Sequence, residues 1–467
     1  MPAPTMWLED VTALLLNRLL GAQSEPARAG LLLGQDVEPP QEPVVLDDRH
    51  RREHAVILGK TGSGKTHLLE FLALQLARRG EGFAFFDFHG DASLSLIRRL
   101  LSAPEGAERL VVIDPSHPTR SPGINVLEAD ASEAGRFRKV SELSSILRQR
   151  WGVDSFGART EELLRNSLYT LASTGSSLAD LSTLLTSPTF RRTQTATLDH
   201  PEVASYWSDR YEPLSEPMKA AFREPLLNRV TAFLTDPAAR HLLGQRVSTV
   251  DVAAAMQAGR WLIIRLPKGR LREHAHTLGN LLFAQLQFAV MAREATPVNT
   301  RSTFSLLCDE VQNLAENDLG TLITEGRKFG ISVITANQFW EQLPKVLRGA
   351  LLSAGSHVCF RISSTDASVL AAELSLERRQ RLTVDLTHLS RGEAIARFGS
   401  QSVRRFRVPA LPAVAPIGTA ELDRLVAPVT RLRTEIEQQL REMTQPPVEA
   451  VPPRRGPADR REGQHDW

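Results

Sequence analysis

The chain has 467 residues, of which 42% are apolar and 24% are charged, and its formal net charge is +2. These values are typical of a globular protein with room for two or three domains. A net charge so near zero excludes a general attraction to nucleic acid, so any such contact must come from a local patch. The chain has only two cysteines, Cys308 and Cys359, which excludes a disulfide framework. Both lie in apolar runs and are predicted to be buried thiols, so we expect the protein in the reducing cytoplasm.

Residues 1–48 are predicted to form a lead-in that ends in a proline-containing linker. The start of the chain lacks the basic segment that opens a signal peptide. The apolar run Val11–Leu20 is interrupted by Asn17 and Arg18 and is too short to span a bilayer. We therefore predict an amphipathic helix that docks on another surface, and no integral membrane segment.

The stretch 59–66 reads GKTGSGKT and matches the pattern of a phosphate-binding loop. The apolar run Ala55–Leu58 before it predicts a buried strand, and the leucines from Leu68 to Leu76 recur at helical spacing. This strand-to-helix context distinguishes the match from a chance glycine-rich loop. The residues predicted to bind nucleotide are Gly59, Lys60, Thr61, Gly62, Ser63, Gly64, Lys65 and Thr66.

The chemistry of this loop follows from its residue types. Its glycines allow a tight turn that points successive backbone N–H groups at a phosphate, beside the positive end of the following helix. Lys65 is predicted to reach the β- and γ-phosphates of ATP, and the Thr66 hydroxyl is predicted to bind Mg²⁺. Nucleotide binding is thus predicted, whereas the process that the nucleotide drives is left open.

Predicted strands and helices alternate after the loop, which indicates an α/β fold with a mainly parallel sheet and helices on both faces. The predicted strands are Phe83–Asp87, Leu110–Asp114, Trp261–Leu266, Phe304–Asp309, Ile331–Ala336, His357–Ile362, and the antiparallel edge pair Glu393–Phe398 and Val403–Val408. A long helix is predicted over His274–Arg293.

The same patterns divide the chain into regions. Almost no strand pattern appears over 126–256, so an inserted all-α domain is predicted there. The α/β core is then expected over 49–125 and 257–415. Residues 416–467 are expected to hold a charged helix, Ala420–Met443, and a disordered tail from Thr444, because that tail is too polar to bury a core.

Acidic residues that end predicted strands compete for the roles of metal ligand and base. The candidates are Asp87, Asp114 and the pair Asp309 and Glu310. Only the pair offers two successive carboxylates, one for the metal and one for the attacking water. We predict that Asp309 binds Mg²⁺ and that Glu310 is the catalytic base, whereas helix capping is the alternative role for a lone strand-end acid such as Asp114.

Three further features have two interpretations each. Gln338 follows a strand and is predicted to sense the γ-phosphate, or else to bond to loop backbone. Arg327 is predicted to stabilise the transition state in a neighbouring subunit, or else to form an ion pair with an acid such as Glu325. A basic loop that contains Lys268, Arg270 and Arg272 is predicted to contact DNA phosphates, or else to be ordinary surface.

The order and spacing of these motifs resemble the HerA–FtsK superfamily, and within it the ATPases that act as type IV coupling proteins. The segments that carry the resemblance are GKTGSGKT, DFHGD, DPSHPTRSPGINVLE, PLLNRVTAFLTDP, LLGQ, WLIIRLPKGRL, LLCDEVQNL and EGRKFGISVITANQ. The long gap between phosphate loop and acid pair fits this family. Many coupling proteins begin with transmembrane helices, and HerA-type motors have a β-barrel N-terminal domain; this sequence shows neither pattern.

The resemblance implies a RecA-like motor core, a ring of about six subunits, ATP hydrolysis with Mg²⁺ at subunit interfaces, and DNA in the central channel. It supports the roles given to Lys65, Thr66, Asp309, Glu310 and Gln338, and Arg327 as the arginine that acts in trans. The partners that the resemblance suggests are a secretion channel, a relaxase or a nuclease. The expected location is the cytoplasm, with a peripheral place at the inner membrane as the alternative.

Other functions remain open at this stage. A protein-secretion ATPase of the same fold would act on polypeptide instead of DNA. An assembly subunit gated by nucleotide would recruit a nuclease or another partner without moving a polymer. A P-loop kinase of small molecules is a fourth possibility, but it leaves the inserted helical domain and the late acid pair unexplained.

Overall fold

The computed structural model describes residues 30–103, 105–128, 132–151, 157–314 and 316–444. The predicted helix at Val11–Leu20 and the predicted tail beyond residue 444 lie outside these residues. Thirteen strands are described: β1 Gly30–Asp36, β2 Pro43–Asp47, β3 Ala55–Leu58, β4 Gly82–Asp87, β5 Leu110–Ile113, β6 Arg120–Ser121, β7 Trp261–Arg265, β8 Phe304–Cys308, β9 Ile331–Asn337, β10 Ser356–Cys359, β11 Glu393–Phe398, β12 Arg404–Arg407 and β13 Arg431–Leu432.

Eleven of the described strands form one sheet in the order β2-β1-β12-β11-β10-β3-β9-β8-β4-β7-β5. The strands from β10 to β5 in this order are parallel, and those from β2 to β11 pair antiparallel. The parallel strands read as continuous apolar runs because helices cover both of their faces. This arrangement confirms the predicted α/β fold with a mainly parallel sheet.

The first helices connect the strands on the phosphate-loop side. They are α1 Asp48–Arg51, α2 Lys65–Arg78, α3 Asp91–Leu101 and α4 Gly106–Arg109. Residues of β3 alternate between two hydrophobic clusters, with Ala55 and Ile57 in one and Val56 and Leu58 in the other. Side chains of α2 and α3 fill the first cluster, which therefore lies on one face of the sheet.

The second cluster, on the other face, continues into a helical region between β6 and β7. Its helices are α5 Glu133–Trp151, α6 Ala158–Ser173, α7 Asp180–Thr186, α8 Pro188–Thr195, α9 Pro201–Ser205, a π-helical turn Tyr206–Tyr211, α10 Glu216–Leu234, α11 Pro237–Leu243 and α12 Val252–Gln257. No strand occurs within 126–256 among the residues described there. The shared core, which includes Leu163 and Trp207, packs this region against the sheet.

The remaining helices follow β7. They are α13 Lys268–Leu271, α14 His274–Ala292, α15 Glu316–Glu325, α16 Lys345–Leu352, α17 Ser364–Leu374, α18 Arg379–His388, α19 Thr419–Val426 and α20 Arg433–Thr444, with short 3₁₀ turns at Arg293–Ala295, Val298–Thr300, Val311–Asn313, Gly326–Phe329, Trp340–Gln342 and Ala427–Val429. Within the described ranges, no helix combines the length and the apolarity that a membrane crossing requires.

Two elements differ from the sequence predictions. Residues 30–47, placed in the lead-in, form β1 and β2, so the paired strands β11 and β12 are not the edge of the sheet. The pairing partner of β1 is β12, too distant in sequence for a local pattern to reveal. The predicted helix Ala420–Met443 is divided into α19, β13 and α20, because Pro428 cannot continue a helix.

Candidate active site

The phosphate loop lies between β3 and α2, at the carboxyl edge of the parallel strands. Gly62 and Gly64 have φ angles of 73° and 123°, a range that residues with a Cβ rarely adopt. A Cβ on Gly59 would lie 2.7 Å from Cβ of Phe360. The loop is also held by the segment after β10, because the Lys60 N–H donates to the Arg361 carbonyl oxygen at 2.8 Å. The glycines of the loop and its contacts with the segment after β10 thus produce the tight turn that a phosphate-binding loop requires.

Lys65 is buried within the loop that precedes it. Its Nζ donates to the carbonyl oxygens of Gly59 at 2.6 Å and of Lys60 at 3.3 Å. Burial lowers the pKa of Lys65, against the opposing effect of Asp309 and Glu310. Among the described residues, no carboxylate lies within ion-pair distance of this ammonium group. A buried cation held only by carbonyl oxygens fits a site that takes a phosphate anion.

Thr66 and Asp309 meet where Mg²⁺ is predicted. The Thr66 hydroxyl donates to Asp309 Oδ2 at 2.6 Å, although 243 positions separate the two residues. Asp309 is buried, and this burial raises its pKa while the hydrogen bond from Thr66 lowers it. A hydroxyl and a carboxylate are the oxygen ligands that Mg²⁺ takes when waters and substrate phosphates complete its shell. The residues present therefore fit the predicted metal ion.

Glu310 follows Asp309 with a φ of 58°, in the left-handed region. Its Oε1 accepts a hydrogen bond from Gln338 Nε2 at 2.8 Å, and its Oε2 accepts one from Gln312 Nε2. Burial opposes ionisation of this carboxylate, but the contacts with His89, Gln338 and Gln312 outweigh it and lower the pKa of Glu310 to about 2.

Gln338 connects Glu310 to the phosphate loop. Its Oε1 accepts a hydrogen bond from the Thr61 hydroxyl at 3.0 Å, while its Nε2 donates to Glu310. The structure therefore brings together Lys65, Thr66, Asp309, Glu310 and Gln338 at one edge of the sheet, although they follow three separate strands, β3, β8 and β9.

The competing acids have structural partners instead. Asp87 accepts hydrogen bonds from the N–H groups of His89, Gly90 and Ser93 at 2.8 to 2.9 Å, and so shapes the turn after β4. Asp114 is buried in an ion pair with Arg265. Neither carboxylate contacts the phosphate loop in a hydrogen bond within the described residues.

Arg327 lies at the opposite edge of the sheet. It precedes β9, whereas Gln338 follows that strand, and a strand of seven residues spans about 23 Å. Its side chain is 61% exposed and pairs at 3.3 Å with Glu53, not with Glu325. This position is too distant for the arginine to act on the nucleotide of its own chain.

The basic loop lies at the carboxyl edge, after β7. It contains the one-turn helix α13 and Arg272, which follows that helix. Arg270 and Arg272 are exposed, and Arg272 has a φ of 49°. Lys268 is partly buried, with its Nζ 5.9 Å from the centre of the Phe88 ring. The loop therefore presents guanidinium groups to solvent on the same edge as the phosphate loop.

Two residues that the sequence patterns did not indicate contact Glu310. Gln312 lies two positions after Glu310, in a 3₁₀ turn that follows β8. His89 lies two positions after β4, and its Nε2 is 3.6 Å from Glu310 Oε1. The adjacent Glu310 carboxylate raises the pKa of His89. The segment DFHGD marks His89 in the sequence, but nothing local indicates its contact with a residue 221 positions later.

These features define a P-loop nucleotide-binding protein with a RecA-like core and a helical insertion. A sequence model of the type IV secretion-system coupling protein DNA-binding domain matches residues 43–354. The chain belongs to this family, which confirms the predicted resemblance. No curated protein matches the chain.

Solved structures show the same fold. The plasmid coupling protein TrwB with a non-hydrolysable ATP analogue covers 86% of this chain and 94% of its own, with a TM-score of 0.62 and 19% identity. TrwB with ADP and Mg²⁺ covers 81% and 90%, with a TM-score of 0.59 and 19% identity. VirB4 of Thermoanaerobacter pseudethanolicus covers 84% and 98%, with a TM-score of 0.55 and 13% identity.

Proposed function

We propose that the protein is an ATP-hydrolysing ring motor that binds and translocates DNA, in the manner of conjugative coupling proteins. The observation that carries this proposal is the convergence of Lys65, Thr66, Asp309, Glu310 and Gln338 at one sheet edge. The family's DNA-binding description and the nucleotide-bound TrwB structures support it.

ATP binds at the phosphate loop in this proposal. Backbone N–H groups of the loop and the start of α2 surround the phosphates, and Lys65 supplies the balancing charge from its buried position. Thr66 and Asp309 would hold Mg²⁺, which would supply positive charge against the phosphate oxygens. Burial around Lys65 and Asp309 excludes water and so strengthens these contacts.

Glu310 takes a proton from the attacking water. Its carboxylate is ionised at neutral pH, because its contacts hold its pKa at about 2. Gln338 links this carboxylate to Thr61 of the phosphate loop, so an added γ-phosphate would compete for the same amide. The glutamine thereby reports to the base whether the γ-phosphate is present.

Arg327 acts on the site of a neighbouring subunit. It lies about one strand length from its own site and is exposed, so it is available to a second chain. An arginine placed this way stabilises charge that develops during phosphoryl transfer. A ring of about six subunits supplies such an interface to every site.

DNA contacts the basic loop of Lys268, Arg270 and Arg272. A ring repeats this loop about six times around one channel, so a small patch on each chain becomes a continuous basic surface. Contacts to phosphates carry little sequence information, so DNA of unrelated sequences should bind almost equally. Affinity should fall as salt rises, because bound cations are released from the DNA.

The test measures ATP turnover of the purified chain with and without single- and double-stranded DNA. We expect DNA to raise turnover, Lys65→Ala to abolish it, and the triple change of Lys268, Arg270 and Arg272 to alanine to remove the stimulation alone. A matched control replaces Arg378, Arg379 and Arg381, which are exposed around the start of α18, and should keep the stimulation.

Two outcomes would contradict the proposal. Absence of ATP turnover in the wild-type chain would refute the hydrolytic role. Turnover that neither form of DNA alters, without DNA binding at low salt, would refute the DNA motor and favour a polypeptide substrate or an assembly role that recruits a nuclease or another partner.

A further inference from the structure

The turn after β4, residues 88–90, lies between the basic loop and the catalytic base. Its backbone is fixed by Asp87, which accepts hydrogen bonds from the N–H groups of His89 and Gly90. Arg265 of β7 donates from Nη2 to the Gly90 carbonyl oxygen at 3.0 Å. These hydrogen bonds connect the turn to β4 and β7.

One side of this turn is packed on the basic loop. The Lys268 N–H donates to the Phe88 carbonyl oxygen at 3.1 Å, and the Lys268 ammonium group lies 5.9 Å from the centre of the Phe88 ring. A Cβ added to Gly90 would lie 2.7 Å from Cβ of Pro267, the residue before that loop. A displacement of Lys268 would therefore also displace the turn that it contacts.

The other side of the turn contacts Glu310. The His89 Nε2 lies 3.6 Å from Glu310 Oε1, the oxygen that also accepts from Gln338. The His89 side chain is 54% exposed, so packing does not explain its place against a buried carboxylate. With Gln312 on the other oxygen, both oxygens of the base already have partners.

We propose that His89 is a positioning residue that restrains Glu310 in the absence of DNA, and that polymer bound at Lys268 and Arg270 releases this restraint through the turn at Phe88. This inference rests on the proposed function, and it adds the route by which DNA stimulates hydrolysis. A base whose acceptor oxygens are occupied is poorly placed to take a proton from water. Withdrawal of His89 leaves Gln338 as the partner of Oε1, so the second acceptor position of that oxygen becomes available to the water.

The experiment compares wild-type protein with His89→Ala and His89→Gln, in turnover with and without DNA. Removal of the ring should raise turnover without DNA about threefold or more and bring the ratio of stimulated to unstimulated turnover near one. The glutamine variant retains an N–H donor and should keep a larger part of the ratio. His388→Ala, a change of an exposed histidine at the end of α18, is the matched control.

Affinities separate this role from a structural one. ATP and DNA should bind His89→Ala within about twofold of wild type, since neither Lys65 nor the basic loop is altered. A stimulation ratio equal to that of wild type, or a fall in turnover without DNA, would overturn the restraint while leaving the DNA motor intact. A wild-type chain that DNA does not stimulate would contradict both proposals.

Discussion

The two edges of the parallel sheet hold their charged groups in different ways. At the carboxyl edge, Asp309 and Glu310 are 2% and 5% exposed, and each is bonded to a side chain from another segment. At the amino edge, the Arg327 side chain is 61% exposed and has one ion pair, with Glu53. Buried charges need matched partners, whereas an exposed pair gains little. The carboxyl-edge groups thus have their hydrogen-bond partners within the chain, whereas the exposed arginine is available to another molecule.

The largest effect is expected from the exposed edge. Arg327→Ala should lower turnover about 10³-fold or more, because an arginine supplied in trans contributes at least that much in related chemistry. ATP affinity should change little, since Arg327 is remote from the site of its own chain. The control is Lys328→Ala, a neighbouring exposed cation, which should retain most of the turnover.

Mixing experiments test whether the arginine acts across an interface. Arg327→Ala subunits mixed equally with inactive Lys65→Ala subunits should regain activity at about one interface in four, where an intact loop meets an intact arginine. Full ATPase activity in a monomer at working concentration would contradict the assignment, and so would a mixture without any recovery.

The buried edge gives the next largest effect. Glu310→Gln should lower turnover about 10²- to 10⁴-fold, the usual contribution of a general base. The amide keeps the size of the side chain, so ATP should still bind with nearly unchanged affinity. Wild-type turnover in this variant would refute the assignment and direct attention to Asp114, another acid that follows a strand at this edge.

The same comparison applies to stability. Asp114→Ala should lower the free energy of unfolding by about 3–5 kcal/mol, because it leaves the Arg265 guanidinium buried without its carboxylate. Glu53→Ala removes the partner of an exposed arginine and should cost less than about 1 kcal/mol. Urea titrations of both variants measure these differences. Equal losses would show that the two edges do not differ as described.

The sequence predicted the parts of the site whose signals are local. The phosphate loop and the acid pair each follow an apolar run. Short sequence patterns were therefore enough to predict these residues as site residues and to place them at the carboxyl edge of the sheet. The contact of His89 with Glu310 joins β4 to β8, and no pattern within either segment indicates it. The strands β1 and β2 were missed for a similar reason, since their place depends on pairing with the distant β12.

Burial of titratable groups is not confined to the carboxyl edge, because a histidine is buried at the amino edge. His54 is 3% exposed, and its Nδ1 accepts a hydrogen bond from the Val333 N–H at 3.0 Å, which requires a neutral nitrogen there. Burial lowers the pKa of His54 from 6.5 to about 4. Protonation of His54 would therefore place its Nδ1–H against the Val333 N–H, so this hydrogen bond would be lost at the start of β3.

The last effect we predict is the pH dependence of stability that follows from His54. The unfolded chain binds the proton near pH 6.5 and the folded chain only near pH 4, so stability is complete above about pH 6.5 and is lost as pH falls towards 4. This loss is about 2 kcal/mol between pH 7 and pH 5. His54→Asn keeps an acceptor and suits the φ of 68° at this position, so it should flatten that dependence in urea titrations. His388→Asn, at an exposed position, should leave the dependence unchanged, and a His54→Asn variant as acid-sensitive as wild type would refute the assignment.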